Sequence, residues 1–161
     1  MIRPARAGDA PAIAALMNHW IENTAVTFSP VPKSPEEISA TIAAKAQLGH
    51  AFLVAVEGGR VIGQASYGQF RGGKGYATCM EHSISLLPGL SGRGTGRRLL
   101  EAVEDHARGA GAHQMIAAVS GENPAGRAFH ERMGYRLTAT IPEAGFKFGR
   151  FIDLLLLAKF L

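Results

Sequence analysis

The stretch Ser91-Gly92-Arg93-Gly94-Thr95-Gly96-Arg97-Arg98 decides how the rest of this chain is read. Before it, Tyr76 to Leu87 reads as a strand. After it, Leu99, Leu100, Val103 and Ala107 recur at helical spacing, and Glu101, Glu104, Asp105 and Arg108 fill much of the other side. A strand that passes through alternate glycines into an amphipathic helix suits an anion. Glycine lets the backbone approach a ligand closely, and the amides of a helix N-terminus point at a phosphate. Arg93, Arg97 and Arg98 add positive charge. Two common phosphate loops do not fit. A Walker A loop needs a terminal Gly-Lys-Ser/Thr, which neither Gly89 nor Gly92 leads to. A dinucleotide fingerprint needs Gly-x-Gly-x-x-Gly, whereas the spacing here is Gly92-x-Gly94-x-Gly96. The loop reads as a pyrophosphate cradle of a third kind.

Working outward, Ile2 to Arg6 reads as a short strand, and Asp9 as the N-cap of a helix with Pro11 in its first turn. That helix carries Ile13, Leu16, Met17, Trp20 and Ile21 on one face. A loop through Phe28 to Pro32 follows. Ser34, Pro35 and Glu37 form a capping box for a second helix, which stops at Gly49. Ala51–Val56 and Val61–Phe70 read as strands joined by the Glu57-Gly58-Gly59-Arg60 hairpin, and Gly72-Gly73-Lys74-Gly75 as a loop. Downstream of the glycines come a strand at Met115–Val119, a short helix from Pro124 to Gly134, and strands at Tyr135–Ile141 and Ile152–Phe160. The order β-α-α-β-β-β-α-β-α-β-β predicts one mixed α/β domain over residues 1–161, with parallel pairing where a helix joins two strands.

Composition narrows the class. The chain has 161 residues, 47% of them hydrophobic, which suffices for a core without covalent staples. Its one cysteine, Cys79, cannot form an intrachain disulfide, and it has no partner motif that would make it a nucleophile. The first residues lack an apolar signal segment, and the longest apolar run, Leu154–Ala158, is too short to span a bilayer. A cytoplasmic, soluble protein with no membrane partner is expected. The net charge of +4 suits an anionic ligand. The basic residues are scattered without aromatic interleaving, so no nucleic-acid partner is expected. The six histidines form no metal-ligand spacing, so no metal is expected.

The strand, the Gly92–Gly96 loop and the following helix resemble the acyl-CoA signature of the GNAT N-acetyltransferases, Gln/Arg-x-x-Gly-x-Gly/Ala, with Ser91 where glutamine or arginine is common. Within that family the chain is similar to the phosphinothricin and methionine sulfone/sulfoximine acetyltransferases. The similarity lies in Asn18-His19, Asn23-Thr24, Phe28, Pro32, Tyr67-Gly68, Phe70-Arg71, Tyr76, Glu81-His82-Ser83 and the block Phe146 to Asp153. The resemblance implies a single-domain acyl-CoA N-acyltransferase fold, a mixed seven-stranded sheet with flanking helices, acetyl-CoA as co-substrate, and a homodimer. It implies that the amides of Gly92, Arg93, Gly94, Thr95, Gly96 and Arg97 hold the pyrophosphate. Ile84, Ser85 and Leu86 would offer backbone groups to the acetyl and pantetheine parts, and Asn123 would bond the same arm.

Acetyl transfer to an amine needs a base for the ammonium, polarisation of the thioester and a proton for the leaving thiolate. The resemblance implies Glu81 as the base and His130 as the acid. On the acceptor side, Arg71 could pair with a carboxylate, Phe28 and Tyr76 could wall the cleft, and Gly73, Lys74, Gly75, His82 and Ser83 would lie beside it. Lys147 and Arg150 could bind a carboxylate or brace the tail. Departures from the family pattern include Cys79-Met80 before the glutamate, Ser85 in place of a common tyrosine, and Gly126 in place of a serine. The expected activity is acetylation of the α-amino group of phosphinothricin, methionine sulfoximine or methionine sulfone. The alternatives are another small amine or a protein N-terminus as acceptor, and a non-catalytic CoA-binding module.

Overall fold

The computed structural model describes residues 1–161. Its strands are β1 (Ile2–Pro4), β2 (Phe52–Glu57), β3 (Arg60–Gln69), β4 (Cys79–Leu86), β5 (Gln114–Ser120), β6 (Arg136–Lys147) and β7 (Arg150–Phe160). Its helices are α1 (Ala10–Asn23), α2 (Pro35–Gln47), α3 (Thr95–Gly109) and α4 (Pro124–Arg132). The expected order of elements is therefore present. The strands form one sheet in the order β1-β2-β3-β4-β5-β7-β6, in which only β4 and β5 run parallel. No helix is long and apolar enough to cross a membrane.

Local chemistry sets most boundaries. The Ser34 hydroxyl accepts from the Glu37 amide at 3.1 Å, and the Glu37 carboxylate accepts from the Ser34 amide at 2.7 Å, so the capping box closes both ways. Gly58 and Gly59, at φ of 56° and 77°, make the two-residue hairpin turn. The α3 stripe of Leu99, Leu100, Val103 and Ala107 is fully buried and packs on Ala65, Tyr67, Met80, Met115 and Leu157. On the other face of the sheet, Ile13 of α1 and Ile38 of α2 cover Phe52, Val54 and Val61. Helices thus sandwich the sheet, and alternation sends the odd-numbered side chains of β4 to one layer and the even-numbered ones to the other.

Several expectations change. Asp9 does not cap α1. Its carboxylate takes both Arg3 Nη atoms, at 2.7 and 2.9 Å, and the Arg6 amide at 2.8 Å. β4 begins at Cys79 rather than Tyr76, because Lys74–Tyr76 wind into a short 3₁₀ turn. Gln69 Nε2 staples that loop by donating to the carbonyls of Arg71 and Gly73, each at 2.7 Å. Glu104 is buried under α3, where it accepts from the Tyr135 hydroxyl at 2.9 Å and Lys159 Nζ at 2.7 Å. β6 continues past Ile141 to Lys147. Pro142 looks like a stop, but the pairing with β7 shifts between Ile141 and Gly145, and an edge strand tolerates proline at such an irregularity. The reversal is Phe148-Gly149, at φ of 52° and 73°. β7 lies between β5 and β6, so the Leu154–Leu157 run is an interior strand and not a sheet edge.

Candidate active site

β4 and β5 are paired only from Cys79↔Gln114 to His82↔Ala117. Beyond that, β4 stays with β3 as far as Leu86, and β5 stays with β7 as far as Ser120. A wedge opens between them. The bonds from the Phe70 amide to the Cys79 carbonyl and from the Leu87 amide to the Ile62 carbonyl, both 2.9 Å, set the phase of the β3–β4 ladder. Odd-numbered residues of β4 therefore bond β3, and the main chains of Ile84 and Leu86 face the wedge. The Leu86 carbonyl is already taken by Trp20 Nε1 at 2.8 Å. The Ile84 amide and carbonyl and the Leu86 amide remain on the wedge side. Ser85 falls out of this set: its main chain belongs to the β3 ladder opposite Gln64, and its hydroxyl accepts from Gln64 Nε2 at 2.9 Å.

The glycine loop closes the same end. A Cβ on Gly96 would lie 3.5 Å from both Leu86 and Phe129, which places the start of α3 between the end of β4 and α4. The Arg98 amide bonds the Gly94 carbonyl at 3.1 Å, so the amides of Thr95, Gly96 and Arg97 in the first turn have no acceptor within the helix. Gly92 and Gly94 sit at φ of 81° and 78° with open space around their missing Cβ atoms. Backbone conformation, rather than crowding, requires glycine there. The Thr95 side chain is buried, and the Arg97 guanidinium is tied to Glu101 at 2.8 Å, so both contribute main-chain amides. Arg93 and Arg98 are exposed. The donor set fits a pyrophosphate. Gly94→Ala should cost about 1 kcal/mol of stability through the left-handed backbone and raise the KM for acetyl-CoA, read from thermal melts and saturation kinetics.

Asn123 caps α4: its Oδ1 accepts from the Gly126 amide at 2.8 Å. The side chain lies so close over Gly126 that a Cβ there would stand 2.3 Å from Asn123 Nδ2, so glycine at 126 and this cap go together.

On the opposite face of β4, Lys45, Ser66, Gly68, Gln69, Glu81, His82 and Ser83 line a cleft of about 210 Å³. Glu81 and Ser83 share its wall, as strand alternation requires. Partial burial pushes the Glu81 carboxyl up from its ordinary range, and the nearby Lys45 charge pulls it part of the way back. Lys45 had no place in the sequence reading. As the sole basic residue of α2, near its C-terminus, it reads as a charge that complements the helix dipole. A larger cleft of about 320 Å³, lined by Glu57, Arg60, Ile62, Leu87, Pro88 and Leu90, lies at the β2–β3 hairpin and far from this carboxylate.

The remaining expected acceptor residues do not line the Glu81 cleft. Arg71 is exposed, with its guanidinium 5.4 Å from the centre of the Tyr76 ring. Gly73, Lys74 and Gly75 share that exposed loop. Phe28 lies flat on Gly145 of β6, where a Cβ would meet its ring at 2.6 Å. Lys147 braces the fold: its Nζ donates to the carbonyls of Ile21, Thr24 and Thr27 at 2.6, 2.7 and 2.8 Å. Arg150 pairs with Glu122 at 2.9 and 2.5 Å. Neither is free for a substrate carboxylate.

His82 and His130 meet on the α3–α4 side. His130 Nδ1 lies 2.7 Å from the Gly126 carbonyl, and its Nε2 lies 3.2 Å from His82 Nε2. A carbonyl only accepts, so the network assigns the His130 proton to Nδ1, leaving Nε2 to accept from His82 Nε2–H. His82 Nδ1 is then a buried lone pair without a donor. Burial pulls His82 down to about 3, with His130 adding to the effect, and burial also lowers His130 against the opposing pull of the Gly126 carbonyl. Both shifts favour the neutral ring. His130, the residue expected as the acid, has both ring nitrogens engaged, Nδ1 by the Gly126 carbonyl and Nε2 by His82.

The sequence model of the acetyltransferase (GNAT) family matches residues 14–135. The chain belongs to the GNAT acetyltransferase family. Its wedge, cradle and seven-stranded mixed sheet are the family's fold. It is 37% identical to the L-amino acid N-acyltransferase MnaT of Escherichia coli, over 95% of this chain and 89% of that one. It is also 37% identical to the L-methionine sulfoximine/L-methionine sulfone acetyltransferase of Salmonella typhimurium, over 95% of this chain and 90% of that one. The solved structure of Salmonella typhimurium yncA with its cofactor acetyl-CoA superposes at a TM-score of 0.96, with 35% identity, covering 100% of this chain and 93% of that one.

Proposed function

We propose that this GNAT protein transfers the acetyl group of acetyl-CoA to the α-amino group of a small amino-acid-like substrate, of the class of methionine sulfone, methionine sulfoximine and phosphinothricin. One observation carries the reading. A partly buried carboxylate, Glu81, faces a polar cleft on one side of β4, while the same strand turns unpaired backbone groups into a wedge that ends at an anion cradle. The names of the two relatives support an amino-acid acceptor of the methionine sulfone and sulfoximine kind, and the acetyl-CoA in the solved neighbour supports the donor.

In this reading the amides of Gly94 to Arg97 and the side chains of Arg93 and Arg98 hold the pyrophosphate, and Ile84 and Leu86 hold the pantetheine arm. The thioester supplies the acetyl group. Glu81 takes the proton from the substrate ammonium, and its raised pKa suits a base that must accept a proton near neutral pH. The freed amine forms the C–N bond, the C–S bond breaks, and the second amine proton leaves with the thiol. His130 acts as the fixed end of the His82–His130 pair, not as a charged donor. The enzyme works as a homodimer; the exposed aromatic rings of Phe146, Phe148 and Phe151 beside the β6–β7 turn support a second copy there.

Thiol release from acetyl-CoA across an amine panel tests this function. Release is expected with methionine sulfone, methionine sulfoximine and phosphinothricin, and not with a polyamine or an aminoglycoside. Release with a peptide N-terminus alone would select the protein-acceptor reading. CoA binding without release for any amine would make the chain a binding module.

A further inference from the structure

The cleft around Glu81 has no apolar residue in its lining, and its two charged side chains come from different layers. Glu81 projects from β4, and Lys45 reaches down from α2. Lys45 Nζ spends one proton on the Tyr67 carbonyl, at 2.8 Å, which leaves two of its three donors unused by that bond. The ammonium lies low over β3 beside Gly68, where even a Cβ would stand only 3.3 Å from Nζ. Gly68 is the cross-strand partner of Glu81, so the cation seated over β3 and the carboxylate on β4 lie on one face of the sheet. Each perturbs the other's titration, yet no direct ion pair closes between them. Ser66 and Ser83 pair across the same two strands and also line the cleft.

A cleft with a fixed positive charge beside a basic carboxylate matches a zwitterion. We propose that Lys45 is the receptor for the acceptor's α-carboxylate, and that together with Glu81 it restricts the site to free α-amino acids. This rests on the amino-acid acetyltransferase reading and deepens it. The substrate ammonium goes to Glu81, and the substrate carboxylate takes charge-assisted hydrogen bonds from Lys45. The arrangement replaces Arg71, which lies on an exposed loop over Tyr76. It disfavours polyamines, whose second ammonium would meet Lys45.

The test compares kcat/KM for L-methionine sulfone with that for its neutral α-carboxamide, in the wild type, Lys45→Gln and Lys45→Arg, at fixed saturating acetyl-CoA. The acid-to-amide ratio does not depend on the fraction of enzyme that is folded. The wild type should prefer the acid. Lys45→Gln should lower the ratio about 10–100-fold, the size of a hydrogen bond to a charged group, mainly through KM for the acid. Lys45→Arg should restore much of it. A ratio that is unchanged in Lys45→Gln, or already near unity in the wild type, overturns the role of Lys45 while leaving the acetyltransferase reading intact. Absence of thiol release with either amine in the wild type overturns both.

Discussion

Glu81→Gln is expected to lower kcat about 10²–10⁴-fold, the usual contribution of a positioned general base, while leaving the affinity for acetyl-CoA unchanged. The separation follows from the two faces of β4. Glu81 points into the polar cleft that Lys45 also lines, whereas the cradle and the backbone of Ile84 and Leu86 lie along the wedge. Glutamine keeps the shape and cannot take a proton. The folded carboxyl has a raised pKa, so burial disfavours its charged form. By linkage, its ionisation opposes folding at pH above the ordinary glutamate range, and a neutral glutamine should leave the melting temperature equal or higher at pH 7. The base works only when ionised, so wild-type turnover should rise with pH through a limb above the ordinary glutamate range. That limb should vanish in the variant. Steady-state kinetics and calorimetric titration with acetyl-CoA provide the measurement. Full turnover of Glu81→Gln at saturating amine would remove Glu81 from the mechanism.

Lys147→Met is expected to destabilise the fold by about 3 kcal/mol, the scale of breaking a buried, charge-assisted hydrogen-bond set. Lys147 is only 3% exposed, and its ammonium satisfies three carbonyls that belong to the last turn of α1 and the loop after it. Methionine fills the same length and donates nothing, so three acceptors lose their partner. For a chain of this size the loss corresponds to a drop in Tm of roughly 6–12 °C. Arginine should not rescue it, because a planar guanidinium cannot aim three bonds as a compact ammonium does. The last of the three carbonyls belongs to Thr27, next to Phe28, whose ring lies on Gly145. The variant should therefore also loosen the contact of Phe28 with Gly145. A Tm within 2 °C of the wild type (roughly 1 kcal/mol or less) would show that water replaces the ammonium at little cost.

The element order was legible because its signals are short-range. The capping box at Ser34, the Gly58-Gly59 turn and the α3 stripe each lie within one or two turns of chain, and each stands in the structure as read. β6 shows where such reading stops. Pro142 argues locally for an end, and only pairing with β7 carries the strand past it. Glu104 shows the same limit in chemistry. On a helix it reads as one more exposed acid, and it becomes buried because Tyr135, just before β6, and Lys159 of β7 arrive to satisfy it.

The sequence by itself determined the cradle. Alternate glycines and a helix start are contiguous, so their conformation and their free amides follow from local backbone preference. It also placed Glu81 and Ser83 on one wall, since alternation along a strand is local too. Tertiary structure alone decided which charges meet. The register of β3 against β4 sets Gly68 beside Glu81, and the seating of α2 brings Lys45 onto that glycine. The early parting of β4 from β5 opens the wedge, and Trp20 of α1 takes one of its carbonyls. The hairpin end of β6 carries Lys147 under α1 instead of into the cleft around Glu81. Coulombic and hydrogen-bond energies depend on distances between segments far apart in the chain, and those distances exist only once the sheet has closed its register.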